Sequence, residues 1–325
     1  MKQAIILVNF GGPRNLEEVE AFLRTLLTDR DVVRSKLPSF LHNILFKRVA
    51  KKRAVKVAED YALIGGKSPI YEDTEAMASA LETLVGIPVL PFHRYLPKTH
   101  PAFLQQIVRY TDTELFVFPL FPQFSYATTG SIARWFRDHI SSQMVHRLRW
   151  TKSYAAHPAY VQCMQQNIRD SLVTQRLKEE DTILLFSAHG LPQEFVDEGD
   201  IYETECRITF EQVVKAFPRS LAKLCYQSKF GPGEWLKPYT DAQCENILEW
   251  HQGYKNVLIV PLSFTSDHIE TLFEIEYLYL PLIRKQGLAA FRCPAFNLRP
   301  DWIETIAAII KEPNYAATEM LIRHS

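Results

Sequence analysis

The 325-residue sequence lacks several features that would assign it to common classes of protein. No run approaches the roughly 18 uninterrupted apolar residues of a membrane-spanning helix, so we predict no transmembrane segment. Lysine plus arginine equals aspartate plus glutamate, 37 each, so no net charge favours nucleic acid as a partner. A GxGxxG motif and a phosphate-binding loop are missing, which disfavours a nucleotide-binding enzyme.

Cysteine is scarce and scattered. The five cysteines stand at positions 163, 206, 225, 244 and 293, and none belongs to a CxxC pair. This usage fits small buried hydrophobes in a reducing compartment, and it disfavours a disulfide framework or a cysteine zinc site. Because no signal-peptide pattern precedes the apolar run Ala4–Val8, we expect a cytoplasmic protein.

What the chain does contain is an alternation of strand-like and helix-like segments. Four segments are continuously apolar: Ala4–Val8, Leu115–Leu120, Ile183–Phe186 and Val257–Leu262. Such runs are typical of parallel strands that are buried on both faces. Helical periodicity predicts helices between them, including Leu16–Leu27, Glu72–Val85, Tyr160–Arg176 and Asp241–His251. The alternation predicts an α/β fold with mostly parallel sheets flanked by helices.

The four strands also pair by their endings. Residues 6–13 and 184–192 both run from apolar residues through a polar turn to glycine and proline, and residues 116–125 and 258–266 share a Pro-Leu step. We therefore predict two similar α/β lobes, residues 1–150 and 151–300, with the active-site cleft between them.

A histidine lies at the end of one predicted strand. His189 follows the apolar run Ile183–Phe186 and precedes Gly190, in a turn that suits a site edge. Ligands of open α/β sheets bind at the carboxyl ends of the strands, so His189 is a candidate site residue. A hydrogen-bonded structural histidine is the alternative that the sequence leaves open.

A second polar cluster follows the strand at Val257–Leu262. Asp267 and Glu270 have the spacing of a helix capping box, which would explain both without any chemistry. That explanation leaves out Glu274, which stands four residues after Glu270, so that their like charges repel by roughly 0.2–0.5 kcal/mol on a helix. Carboxylates on one helix face either form a solvated surface or pass cations and protons along it.

The spacing of His268 and Glu270 carries a structural prediction. Two residues apart on a regular α-helix, they would point about 200° away from each other. Both face one site only if His268 lies in the first turn or the helix is locally widened into a π-helix. Imidazole and carboxylate together suit a divalent transition metal.

Several segments resemble the ferrochelatase family, which inserts Fe2+ into protoporphyrin to make haem. SAHGLP (187–192) and FTSDHIETL (264–272) are similar to its signature segments, and YQSKFGPGEWL (226–236) is close to a third. The resemblance implies two Rossmann-type lobes with the porphyrin between them, and a last helix, over 301–325, that packs back on the first lobe. It also implies that His189 is the metal ligand or proton acceptor, Glu270 its partner and His268 a supporting residue, with Glu274 as a relay for metal or protons.

The same resemblance implies a porphyrin pocket. Its substrate-binding candidates are Phe10, Arg94, Tyr95, Phe264 and Trp235, for which core packing or a surface ion pair is the alternative. The chain departs from the family at Leu278, where an acidic residue is common. Glu276 could replace it only with a different helix geometry.

Residues 37–53 place apolar side chains beside a basic run (Lys47 to Arg53), as in a helix that lies on a membrane surface. An ordinary core helix with a solvated basic end fits the pattern equally well. The family's apolar lip stands at this place, which favours a peripheral membrane contact.

The predicted activity is a lyase reaction with protoporphyrin IX and Fe2+ as substrates and no resident cofactor. Some relatives carry a [2Fe–2S] cluster on cysteines near the C-terminus; no cysteine follows Cys293, so we expect no cluster here. A chelatase for another tetrapyrrole, for example coproporphyrin, and a porphyrin carrier without catalysis remain as alternatives.

Overall fold

A computed structural model of the chain describes residues 3–312 and 314–323. The chain forms two compact units. The first unit comprises the residues up to Ser153 together with those from Ile306 onward, and the second unit is Tyr154–Thr305. The division after Ser153 lies close to the boundary expected at residue 150.

Two sheets form the centres of the units. The described residues contain the strands β1 (Gln3–Asn9), β2 (Val89–His93), β3 (Glu114–Pro119), β4 (Leu148–Thr151), β5 (Thr182–His189), β6 (Leu221–Gln227), β7 (Asn256–Pro261), β8 (Ala289–Arg292) and β9 (Tyr315–Ala316). The first sheet has the order β2-β1-β3-β4-β9 and the second the order β6-β5-β7-β8. All neighbours are parallel except β4 and β9, which are antiparallel.

Helices follow the strands along the chain. They are α1 (Val19–Leu27), α2 (Ser39–Leu63), α3 (Ile70–Val85), α4 (His100–Ile107), α5 (Ser131–His139), α6 (Ser142–Val145), α7 (Pro158–Thr174), α8 (Gln193–Asp197), α9 (Tyr202–Val214), α10 (Thr240–Glu245), α11 (Leu280–Lys285) and α12 (Pro300–Ile310). Two π-helices interrupt this series, at Tyr126–Gly130 and Glu270–Tyr279. No helix among the residues described is long and apolar enough to cross a membrane.

The predicted fold class is confirmed. The four apolar runs lie in β1, β3, β5 and β7, which are almost wholly buried because both faces of their sheets are covered. Within each sheet the first strand along the chain lies between the next two, so β1 corresponds to β5 and β3 to β7. The paired endings in the sequence reflect this repeated topology. All five cysteines are buried and unpaired, as their scattered positions indicated.

The C-terminal region differs from the expectation. The helix predicted over 301–325 begins at Pro300 and ends at Ile310, and β9 follows it. The sequence explains the early end, because a residue that precedes a proline, here Glu312, is disfavoured in the helical conformation. β9 then pairs with β4, the last parallel strand of the first sheet.

Candidate active site

His189 is the last residue of β5, an inner strand of the second sheet. Its backbone is fixed on both sides: the N–H donates to Ser263 Oγ at 2.9 Å, and the Tyr202 hydroxyl donates to its carbonyl at 3.0 Å. The side chain remains 39% exposed. The strand end therefore presents a fixed imidazole that a ligand from solvent can reach.

The hydrogen bond at Nδ1 defines the tautomer of the His189 ring. Nδ1 lies 2.5 Å from the Gly190 carbonyl oxygen, which can only accept, so Nδ1 carries the proton. In the neutral imidazole the lone pair then lies on Nε2, the nitrogen that points to Glu270. Nε2 is the atom that can bind a metal or take up a proton.

Gly190 is required by the close approach of the neighbouring strand. A Cβ atom at this position would lie 2.6 Å from the Gln227 carbonyl oxygen, which is backbone and cannot move away cheaply. The Gly190 N–H donates to that same carbonyl at 2.7 Å. The glycine thus lets the turn after His189 lie against the end of β6.

The carboxylate of Glu270 lies between two imidazoles. Its Oε1 is 3.5 Å from Nε2 of His189, and its Oε2 is 3.5 Å from Nε2 of His268. Of the two predicted arrangements, the structure contains the widened helix: the π-helix Glu270–Tyr279 begins at Glu270, and His268 lies just before it. The Glu270 side chain faces the histidines, not the cap of its own helix, which removes the capping-box interpretation.

Opposite charges govern the titration of this pair. Burial alone would lower the pKa of His189, but the nearby Glu270 carboxylate outweighs burial and raises it. Burial alone would raise the pKa of Glu270, and the two imidazoles hold it well below its usual range. At neutral pH the resting pair is therefore an imidazolium beside a carboxylate.

Glu274 has a different environment from Glu270. Its Oε2 accepts hydrogen bonds from Ser228 Oγ at 2.6 Å, Tyr279 Oη at 3.0 Å and Gln227 Nε2 at 3.1 Å. Burial, followed by the like charge of Glu270, nevertheless raises the pKa of Glu274 to about 7. This carboxyl group can gain or lose a proton near neutral pH.

The raised pKa of Glu274 predicts a pH-dependent effect on stability. An ionised group that is disfavoured in the folded state opposes folding, and this penalty grows as the pH rises from the ordinary carboxyl pKa through about 7. We expect Glu274→Gln to raise the free energy of unfolding by about 1–2 kcal/mol at pH 8 and by much less at pH 5. Thermal unfolding at both pH values measures the difference. An equal shift at the two pH values would contradict the assignment.

Glu276 does not extend the row of acidic residues. Its Oε1 accepts from Arg292 Nε at 2.9 Å, which directs the carboxylate to β8. Leu278 is 45% exposed and supplies no charge. On the π-helix, the carboxylates near His189 are therefore those of Glu270 and Glu274.

An aromatic ring borders the two histidines. Phe264 is half-buried, and its ring centroid lies 4.7 Å from that of His268 and 6.3 Å from that of His189. Trp235 is nearly buried, and it forms a bridge with Pro192 and lies close to Gly190. In this conformation Trp235 supports the turn after His189.

The other predicted substrate residues lie in the first unit. Phe10 is half-buried and packs on Tyr95, with ring centroids 5.0 Å apart. Tyr95 is fully buried, and its hydroxyl donates to Asp29 at 3.1 Å. Arg94 donates to the same carboxylate at 2.6 Å and is 14% exposed, so most of this side chain is committed to the Asp29 ion pair.

Sequence reasoning missed three residues near the catalytic candidates. The side chains of Gln227, Ser228 and Tyr279 all donate hydrogen bonds to Glu274. A signal for two of them existed: Gln227 is the last residue of β6 and the register partner of His189, and Ser228 follows it directly. The strand-end rule that selected His189 applies to them as well.

Few side chains of the site can bind the same metal ion. His189 Nε2 and a Glu270 oxygen can bind one cation, with His268 Nε2 on the far side of the carboxylate. Nδ1 of His268 is buried and has no hydrogen-bond partner within the described part of the chain. In the same part, no group of three or more His, Cys, Asp or Glu side chains is arranged to hold a metal ion.

Comparison with known proteins gives a consistent result. A family model described as Ferrochelatase matches residues 2–314. The ferrochelatase of Chlamydia abortus is 45% identical over 99% of this chain and 100% of its own length. That of Chlamydia caviae is 44% identical with the same coverage.

Solved structures resemble the fold at low sequence identity. SirB from Bacillus subtilis, solved with Fe3+, has a TM-score of 0.56 and 14% identity, and 96% of each chain is covered. CbiX, the terminal enzyme of sirohaem biosynthesis in denitrifying bacteria, has a TM-score of 0.53 and 15% identity over 96% of this chain and 98% of its own. These matches support the α/β architecture described above.

Proposed function

Because the chain belongs to the ferrochelatase family, we propose that His189 and Glu270 carry out the insertion of Fe2+ into protoporphyrin IX. The protein is a metal chelatase, a lyase that inserts iron into a porphyrin in haem synthesis. The observation that carries the residue assignment is the position of the Glu270 carboxylate, 3.5 Å from Nε2 of both His189 and His268.

The reaction exchanges one metal ion for two protons. The free-base porphyrin carries two pyrrole N–H groups, and Fe2+ takes their place while two H+ leave. A catalyst must therefore accept protons and help to remove water from the ion. Two groups within reach of each other, an imidazole that has released its proton and a carboxylate, meet both needs.

His189 is the residue proposed to contact the incoming Fe2+ first. Its Nε2 lone pair is available once the imidazolium has lost its proton, because Nδ1 is held as a donor by the Gly190 carbonyl. Metal binding or uptake of a pyrrole proton needs neutral imidazole, so the proton that Glu270 favours on the ring must first pass to an ionised Glu274 and from there to solvent. His268 lacks such a partner at Nδ1 among the described residues, so its tautomer is less defined.

Glu270 and Glu274 provide the proposed route for protons. Glu270 stays ionised and stabilises the charge on His189 or on the ion, while Glu274 titrates near neutral pH. A proton passed to Glu274 is one that solvent can later remove. Phe264 is the proposed contact for the porphyrin face in the second unit; Phe10 and Arg94 are proposed contacts in the first.

An absorption assay tests the function. Purified protein is mixed with protoporphyrin and either Zn2+ or anaerobic Fe2+, and the loss of the free-base spectrum is followed. We expect catalysed metallation. Tight porphyrin binding without metallation would favour a carrier, and a protein that neither binds nor metallates would overturn the proposal. The same assay with coproporphyrin tests the choice of tetrapyrrole, for which the higher kcat/KM identifies the substrate.

Residues 37–53 are proposed to touch a membrane surface from the cytoplasm. Apolar side chains at the start of α2 are exposed, namely Phe40 (64%), Leu41 (41%), Ile44 (48%) and Leu45 (44%), which disfavours an ordinary core helix. Exposed lysines and arginines follow directly, at 47, 48, 51 and 52. Apolar residues beside basic ones fit a bilayer with anionic headgroups.

Loss of this apolar surface is expected to weaken lipid binding. We predict that Phe40→Ser combined with Ile44→Ser lowers binding to phosphatidylserine-containing vesicles about tenfold or more, because two large side chains no longer enter the interface. Co-sedimentation measures it. Val173→Ser, at a valine of α7 that is still more exposed, is the control and should have no effect. A wild-type protein that leaves such vesicles unbound at low salt would refute the membrane contact.

A further inference from the structure

Arg292 links the π-helix to the edge of the second sheet. It is the last residue of β8, and its side chain is 14% exposed. Its Nη1 donates to Asp267 Oδ1 at 2.7 Å, and its Nε donates to Glu276 Oε1 at 2.9 Å. One guanidinium therefore binds a carboxylate just before the π-helix and another within it.

Arg292 connects the π-helix to the segment that precedes it. Glu276 lies within the π-helix Glu270–Tyr279, whereas Asp267 lies before its first residue. The i→i+5 hydrogen bonds widen the turns between Glu270 and Glu276, so the direction of the Glu276 side chain relative to Glu270 differs from that on a regular α-helix. The ion pair with Arg292 fixes Glu276 in this widened arrangement.

Asp267 also accepts hydrogen bonds from Thr271, which follows His268 by three residues, and from Asn297. Its Oδ1 accepts from Thr271 Oγ1 at 2.8 Å, and its Oδ2 accepts from Asn297 Nδ2 at 2.9 Å. Thr271 Oγ1 in turn accepts from the backbone N–H of His268 at 2.9 Å. The segment that carries His268 and Glu270 is therefore bracketed by Asp267 and Thr271.

We propose that Arg292 is a positioning residue for metal insertion: by bridging Asp267 and Glu276 it holds the π-helix in the register that brings Glu270 to His189. Arg292 touches neither reacting group and acts through the helix. The proposal rests on the proposed function, since it concerns the alignment of the His189–Glu270 pair. An arginine is needed because its planar fork donates in two directions at once.

Variants of Arg292 test the bridge. Misplacement of a catalytic group by about 1 Å can cost up to 100-fold in rate, so we expect Arg292→Gln to lower kcat for Zn2+ insertion about 10- to 100-fold. KM for the porphyrin should change less than about threefold, because Arg292 does not touch that substrate. Arg292→Lys should stay nearly as slow, since an ammonium group cannot reproduce the fork. Glu276→Gln, which keeps the Asp267 contact, should fold normally and give a smaller loss of kcat.

A nearby arginine gives a matched control. Arg284 Nη2 donates to the Ala290 carbonyl at 2.7 Å, so it also contacts β8 but none of the carboxylates on the π-helix. Arg284→Gln should keep its kcat. An equal loss in this control, an unchanged kcat in Arg292→Gln, or full recovery in Arg292→Lys would each overturn the positioning role.

Hydrogen exchange separates failure of this inference from failure of the proposed function. Amides of residues 268–279 are expected to exchange faster in Arg292→Gln than in Arg284→Gln, whether or not the protein metallates a porphyrin. Unchanged exchange overturns the bridge alone. A wild-type protein without metallation, together with the expected exchange, would refute the proposed function and leave the bridge as a feature of the fold.

Discussion

Replacing Glu270 by glutamine is expected to lower kcat for metal insertion by roughly 100- to 10,000-fold, the range typical of a lost acid–base group. Glutamine keeps the shape of the side chain, but it carries no charge and so cannot balance the charge of His189 or of the metal. The dissociation constant for protoporphyrin should change only a few fold, since no part of the assigned role is porphyrin binding. Stopped-flow absorption gives kcat, and quenching of porphyrin fluorescence gives the dissociation constant.

The comparison variant for Glu270 is Glu249→Gln, at an exposed position of the same unit. It removes a carboxylate of the same kind without touching the histidines, and it should metallate at the wild-type rate. A Glu270→Gln protein that turns over as fast as Glu249→Gln would defeat the assignment. Loss of both metallation and porphyrin binding would instead mean that Glu270 holds the substrate.

His189→Ala is expected to reduce kcat by a similar factor. The variant removes Nε2, the only atom of the pair that can bind the metal as a neutral nitrogen, and leaves Glu270 with His268 alone. Added imidazole should restore part of the rate, because the truncated side chain was 39% exposed and leaves space that solvent reaches. The rate is measured with and without imidazole, and His251→Ala serves as a control on another surface loop.

Combining the two changes should cost little more than either one. Groups that act as one unit are strongly non-additive, because the second loss removes an interaction that the first has already broken. A double variant of His189→Ala and Glu270→Gln that is slower than each single variant by the product of their factors would show two independent roles. Such a result would contradict a shared step for the pair.

Much of the fold and part of the site could be predicted from the sequence because the relevant signals are local. Continuous apolar runs gave β1, β3, β5 and β7, since a strand covered on both faces needs apolar side chains throughout. The polar residue at the end of such a run then predicts a site position, as for His189. The two-residue spacing of His268 and Glu270 predicted either His268 in the first turn or a widened helix, and the structure contains the widened helix.

Other contacts could not be predicted because they join residues far apart in the chain. Nothing near Arg94 indicates that its guanidinium binds Asp29, 65 residues earlier. The same holds for Glu276, which binds Arg292 and leaves the row of acidic residues, and for Ser228, which donates to Glu274. Each pairing depends on the path of the chain between the partners, and no local periodicity encodes that path.

The sequence by itself determined the α/β fold, the strand that carries His189 and the helix that carries Glu270, because burial and helical spacing act over a few neighbouring residues. Only the tertiary structure decided which charges meet. It placed Glu270 between two imidazoles, so that its pKa falls, and buried Glu274 beside a like charge, so that its pKa rises. Desolvation and Coulomb interactions depend on three-dimensional distance, and they gave two glutamates of one helix opposite protonation behaviour.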